Sequence, residues 1–213
     1  GLDAAALLHD IGQPGPLAML WLSLLSTGGA ALLLYFWRRR AHAQEIALST
    51  QAARLPATWV WAGAAGVAAF LFSTSLAAAA QYCFQIVPEP SNAALIEEIL
   101  GTHPLFLVLF AVVLAPAYEE LLFRRVLFGR LWAAGRPWLG LLLSSAAFAL
   151  MHELPGVTHN TWPATLLLWL TYGFMGAVFA AVYWRTRTLW AAYAAHALNN
   201  ALALAVMKLY GTA

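Results

Sequence analysis

Charged residues in this chain fall in clusters, and the stretches between the clusters are apolar. No Asp, Glu, Lys or Arg lies between Asp10 and Arg38, Arg54 and Glu89, Glu98 and Glu119, Arg136 and His152, Glu153 and Arg185, or Arg187 and Lys208. Five of these windows reach the roughly 20 residues that a helix needs to cross a bilayer. The pattern predicts helices over about Pro16–Trp37, Ala57–Phe84, Pro104–Ala134, Pro137–His152, Pro163–Trp184 and Leu189–Tyr210. A polar connector follows Arg38-Arg39-Arg40 and runs to Pro56. A loop covers Pro88–His103, with a short amphipathic stretch over Asn92–Leu100, and another covers Leu154–Trp162. Pro104 suits a first helical turn. The next break is read at Gly135-Arg136-Pro137, which makes a helical hairpin of the third and fourth helices.

Composition sharpens this into a fold class. Of 213 residues, 62% are hydrophobic and 9% are charged, against roughly 25% charged in soluble domains. The expectation is an all-α, polytopic integral membrane bundle of about six transmembrane helices, forming one membrane domain over residues 1–213. The first apolar stretch is long and has no basic region before it, so it reads as a retained helix and not as a signal peptide. The Ala- and Gly-rich second helix suits close packing in lipid. Cys83 has no second cysteine to pair with, and is expected to pack in its helix as a small apolar residue.

Arginine placement sets the orientation. Arg38, Arg39, Arg40 and Arg54 flank the first connector, Arg130 and Arg136 the hairpin turn, and Arg185 and Arg187 the last turn; these three loops fall on one side. The loop with Glu89, Glu97 and Glu98 falls on the other. The arginine-bearing loops are expected in the cytoplasm, with the termini outward. Lys208 is the one lysine against ten arginines, a bias of GC-rich bacterial genomes, so a bacterial plasma (inner) membrane is the expected location.

Ionisable residues within bilayer-spanning segments are costly and mark functional sites by default. Three clusters qualify: Glu119-Glu120 with Arg124, Phe148 with His152, and His196 with Asn200. Residues four apart share a helix face, which stacks Glu120 on Arg124, Phe148 on His152, and His196 on Asn200. Glu119 points about 100° away from Glu120, so one carboxylate faces a cavity while the other meets Arg124. Glu119 lies 16 residues before Gly135 and His152 lies 15 after Pro137, so each sits roughly 23 Å from the hairpin turn. His196, nine residues after Arg187, lies roughly 13 Å from its own turn, and helix tilt must supply the difference. A carboxylate and an imidazole around one point can deprotonate a water. A second imidazole and a carboxamide can stabilise an oxyanion. Glu and His are also zinc ligands, although the His-Glu-x-x-His pattern is absent: Leu154, Pro155 and Gly156 follow His152-Glu153.

Glu-Glu-x-x-x-Arg, Phe-x-x-x-His and His-x-x-x-Asn, in that order on consecutive apolar helices, resemble the three motifs of the CAAX-protease and bacteriocin-processing family (Rce1-like). The resemblance covers about 104–210, the motif-bearing core; the first two helices, about 16–84, carry no motif and are accessory. It implies a membrane endopeptidase with a cavity open to the cytosolic side. By that likeness Glu119 and His152 activate water, His196 and Asn200 hold the oxyanion, and Glu120 with Arg124 forms a supporting ion pair. It leaves open whether a divalent metal such as zinc is bound; if one is, Glu119, His152 and His196 are the candidate ligands. The partners it implies are the lipid bilayer and a membrane-associated peptide, protein or C-terminal tail. Nothing points to an organic cofactor or a nucleic acid.

Each feature also has a plainer reading. The Glu119, Glu120 and Arg124 set could be a structural ion pair, His152 an interfacial residue, and His196 with Asn200 an interhelical hydrogen-bonding pair. Arg125 is expected to snorkel toward headgroups. Glu153 is a candidate support for His152, and His9, His42, His103 and His159 carry no assigned role. Two other functions use the same residues: a non-catalytic immunity or scaffold protein of the same fold, and a proton-coupled transporter. The absence of internal repeats weighs against the transporter.

Overall fold

The computed structural model describes residues 14–156 and 160–211. All secondary structure among the described residues is helical. The helices are α1 (Pro16–Arg38), α2 (Ala43–Ala53), α3 (Pro56–Phe84), α4 (Ala93–Thr102), α5 (Pro104–Ala133), α6 (Pro137–His152), α7 (Trp162–Thr186) and α8 (Leu189–Tyr210). The six expected long helices are present, and the protein is a helical membrane bundle. Helices α1, α3, α5 and α7 are long and apolar enough to cross a membrane. Helix α6 has 16 residues, about 24 Å of rise, so it reaches only part of the way. Helix α8 has 22 residues, but His196, Asn199 and Asn200 lower its hydropathy.

Proline opens five of these helices at the first or second position: Pro16, Pro56, Pro104, Pro137 and Pro163. Its preset φ and missing N–H cost nothing there. Gly135, at φ 75°, makes the tight turn between α5 and α6. The connector after Arg40 departs from the expectation of a featureless polar segment, because Ala43–Ala53 is helical. Its signal is local: Glu45 at the third position accepts the His42 N–H at 3.1 Å, the back-reaching half of a capping box.

Helix α5 also departs from a plain helix, because Pro116 lies in its interior. The backbone stays helical by widening. Over Leu109–Leu114 and Leu121–Phe128 the turns are π-type, with bonds five residues apart. Such insertions relieve a broken ladder and recur at functional sites.

Helix α5 divides the interior into two apolar clusters. One gathers Phe123, Phe128, Phe148, Phe179 and Tyr183 with small residues of α3 and α8. The other gathers Leu20, Ile99, Leu107, Phe110 and Tyr118 where α1 and α4 meet α5. Helix α3 packs along α8 and α7, and α6 packs along α7. Small residues permit this approach: a Cβ at Gly66 would stand 2.6 Å from the Ala195 carbonyl oxygen, and at Gly176 2.9 Å from Ser145 Cα. Cys83 does not pack inside; it is exposed near the end of α3.

The Gly66 contact yields a test. Gly66→Val should force α3 off α8 and destabilise the bundle by about 1–3 kcal/mol, read as a lower melting temperature in detergent. Gly63→Val, at a position with nothing within 4 Å of a Cβ, should leave that temperature nearly unchanged.

Candidate active site

The three polar clusters meet at one place. Glu119 and Glu120 come from α5, His152 from the end of α6, and His196 from α8. Glu120 and Arg124 are buried, so their charges must be met within the protein. Glu120 Oε2 lies 3.2 Å from Arg124 Nε, and Arg124 Nη2 donates to the Gly176 carbonyl at 3.3 Å. The guanidinium also lies 4.6 Å from the Phe148 ring centroid and 5.3 Å from that of Phe179, within cation–π range. The other Glu120 oxygen, Oε1, is 2.9 Å from His196 Nδ1.

Glu119 turns to a different face, as the 100° step predicts. Its Oε2 is buried without a hydrogen-bond partner. It faces His152 Nε2 at 3.9 Å and His196 Nε2 at 3.8 Å. The tautomers follow from what the other ring nitrogens touch. His152 Nδ1 donates to the Phe148 carbonyl at 2.9 Å, which can only accept, so in the neutral ring Nε2 is a bare acceptor. His196 Nδ1 meets the carboxylate of Glu120, and the same argument leaves its Nε2 bare. Three acceptor atoms thus converge, an arrangement suited to a molecule that donates to them, such as water. The imidazoles are held flat by aromatic neighbours. Tyr172 stacks on His152 at 4.4 Å between centroids, and Phe179 on His196 at 4.7 Å. Neither Tyr172 nor Phe179 was legible as part of the site, since an aromatic ring in an apolar helix gives no signal of its own.

The geometry bears on a metal. Zinc with ligands at 2.0–2.1 Å places its donors about 3.3 Å apart, closer than the 3.8 and 3.9 Å seen here. Among the described residues no three His, Cys, Asp or Glu side chains are grouped to hold a metal ion. Glu119, His152 and His196 therefore do not form a closed metal cage as they stand.

Four expectations change in detail. His196 reaches the level of Glu119 although its own turn is nearer. The two turns differ in cover: Gly135 is exposed, whereas Thr188 is fully buried and its hydroxyl bonds Ser49 of α2 at 2.8 Å. Arg125 does not snorkel; it is 8% exposed and its Nη2 lies 2.6 Å from Glu45 Oε2. Glu153 supports His152 through the main chain and not through the imidazole. Its Oε1 accepts the Ser91 N–H at 2.7 Å, while Ser91 Oγ donates to the His152 carbonyl at 2.8 Å. His42 and His103 are exposed; His9 and His159 lie outside the described residues.

Asn200 shows a contact that its spacing from His196 did not predict. Its amide donates to the Ala111 carbonyl at 2.9 Å. In the widened stretch of α5 the Ala115 N–H bonds Phe110 O, five residues back. By that ladder the partner of Ala111 O would be the N–H of residue 116, which is Pro116 and has none. Asn200 supplies the missing donor and ties α8 to α5 beside Glu119. Asn199, which is buried, donates to Asn200 Oδ1 at 3.0 Å.

A helical membrane bundle with a buried Glu, Arg and two His meeting across three helices is the class that fold and site define. Residues 101–202 match the family described as type II CAAX prenyl endopeptidase Rce1-like. The chain is also similar to "Putative membrane peptidase YdiL" of Bacillus subtilis (strain 168), with 32% identity over 142 residues. That alignment covers 66% of this chain and 53% of the relative, so the chain spans about half of the relative's length. No solved structure gives a significant match.

The substitution by Asn200 can be checked with a double-mutant cycle. Asn200→Ala should destabilise the chain by about 1 kcal/mol. In a Pro116→Ala background, where the alanine brings its own N–H, the loss should shrink to a few tenths. Unfolding of the four chains in one detergent reads the coupling.

Proposed function

We propose that this chain is an intramembrane endopeptidase whose nucleophile is a water activated by Glu119. The observation that carries the reading is the buried, unpartnered Glu119 Oε2 between two imidazole Nε2 atoms. A water among these three atoms gives one hydrogen to Glu119 and the other to His152 Nε2, which points an oxygen lone pair outward. As that oxygen attacks the peptide carbonyl carbon, Glu119 takes the proton. The carbonyl oxygen becomes an oxyanion. His196, anchored through Nδ1 on Glu120, stabilises it by taking a proton from solvent at Nε2, which turns that atom from the acceptor of the resting site into a donor. Asn200 gives one amide hydrogen to Ala111 and retains a second for the same purpose. Collapse breaks the C–N bond, and Glu119 returns its proton to the leaving amine. Arg124 holds Glu120 in place, and so acts through it.

The family match and the named relative support peptide hydrolysis as the reaction. Substrates are membrane-associated peptides or C-terminal tails, reached from the arginine-bearing side of a bacterial plasma membrane. The route is an acid–base one carried by Glu119. Where a divalent metal is required, these same three side chains would have to close around it.

Glu119→Gln keeps size and burial but cannot take a proton. It should lower cleavage by about 10³-fold, while helicity and melting temperature match the parent. The assay is a membrane-peptide library in detergent, read by mass spectrometry with and without a chelator. Cleavage by the parent that survives chelation and is lost in Glu119→Gln is the expected result. Equal cleavage by both chains would remove Glu119 from the mechanism. Chelator-sensitive cleavage would place a metal in it. A folded parent that cuts nothing would favour the non-catalytic or transport reading.

A further inference from the structure

Helix α2 covers the arginine-bearing end of the bundle without being built into it. None of its residues is fully buried; Glu45, Ser49, Ala52 and Ala53 make its half-buried face. Its side-chain ties to the bundle are polar: Ser49 to Thr188, and Glu45 to two arginines. Beneath it lies a cavity of about 710 Å³. Leu121, Trp132, Tyr183 and Trp190 give it apolar and aromatic walls, and Glu120 of the buried cluster also lines it. The space therefore runs from under α2 toward the site described above.

At the α2 end of this cavity one carboxylate is gripped by two guanidinium groups. Glu45 Oε1 takes Arg39 Nη2 at 2.9 Å and Arg125 Nη1 at 3.4 Å, and Oε2 takes Arg125 Nη2 at 2.6 Å. Paired N–H donors on both oxygens are the arrangement that recognises a carboxylate. The arginines also have donors to spare: Arg39 Nε and Arg125 Nε are buried with no hydrogen-bond partner. Partial burial pushes the Glu45 carboxyl up. The Arg125 bonds, the His42 N–H and Arg39 outweigh it and hold the group at about 2, so Glu45 is ionised at any ordinary pH.

We infer that Arg39 and Arg125 form a carboxylate-binding subsite at the mouth of the cavity, filled at rest by Glu45. When α2 lifts, the subsite takes a carboxylate of the bound peptide, either its C-terminus or an acidic side chain. Helix α2 is then a plug, and the ligand competes with Glu45 for the same donors. The inference rests on the reading that peptides enter this cavity, and it can be tested without turnover. The full chain carrying Glu119→Gln, in lipid nanodiscs, is titrated with three fluorescent forms of one apolar peptide: free C-terminal acid, C-terminal amide, and amide with one added Asp. Binding is read by anisotropy, and hydrogen exchange is followed at the amides of Ala43–Ala53.

The acid, the Asp-bearing amide or both should bind about tenfold more tightly than the plain amide; which of them does so names the source of the carboxylate. Adding Glu45→Gln should tighten that binding about tenfold and speed exchange in α2. Adding Arg39→Gln, in a chain of parental helicity, should reduce it to the level of the plain amide. Equal affinity for all three peptides, no binding by any, or no gain from Glu45→Gln would overturn the inference. Selective binding in a chain whose parent cuts none of these peptides would leave the subsite standing and remove the hydrolytic reading.

Discussion

The Glu120–Arg124 pair is the interaction on which the bundle depends. Both side chains are wholly buried, and an unpaired charge in that setting would cost several kcal/mol. One contact does not satisfy either group, so neighbouring helices contribute. Helix α8 brings His196 Nδ1 to Glu120, α7 brings the Gly176 carbonyl to Arg124, and α6 brings the face of Phe148. That carbonyl lies where α6 and α7 pack so closely that a Cβ at Gly176 would touch the Ser145 backbone. Four helices are thereby positioned around one ion pair. In lipid, burial of apolar surface does not by itself bring helices together.

This commitment of Glu120 gives Glu119 its character. The two carboxylates are neighbours in sequence, yet one is consumed by Arg124 and His196 while the other keeps its Oε2 without a hydrogen-bond partner. Environments that separate a pair of carboxylates into a fixed one and an open one mark acid–base sites generally. The same network decides the tautomer of His196. Because Nδ1 is spent on Glu120, Nε2 is turned to Glu119, and Phe148 O does the equivalent for His152 through a contact inside its own helix. Support and chemistry share the same atoms, so loss of Arg124 would disturb the orientation of His196 as well as the local charge balance.

How much of this was legible follows from what each feature depends on. Helix positions were plain because charge-free runs and proline starts are local signals. The meeting of Glu119 with His152 was legible because a hairpin turns depth into a residue count. The level of His196 was not, since it depends on how α8 packs against α5, which residue spacing does not fix. Arg125 was misjudged for a related reason: an arginine at a helix end snorkels unless a carboxylate waits inside, and Glu45 is 80 residues away. The role of Asn200 required knowing that α5 widens where Pro116 removes a donor. Sequence spacing alone paired Asn200 with His196 and passed over the proline.

These contacts leave the bundle unequal in strength from one end to the other. At the level of Glu119, four helices are locked by charge, aromatic stacking and small-residue packing, and none can shift without breaking the others. At the arginine-bearing end, α2 has no fully buried side chain and is held by a carboxylate and a hydroxyl. Segments with little apolar burial open at small cost relative to the core. Hydrolysis in a membrane needs this inequality: the groups that orient water must not move, while a peptide must be let in. The weak element lies outside the candidate spanning helices, so its opening would leave the packing around Glu120 and Arg124 in place.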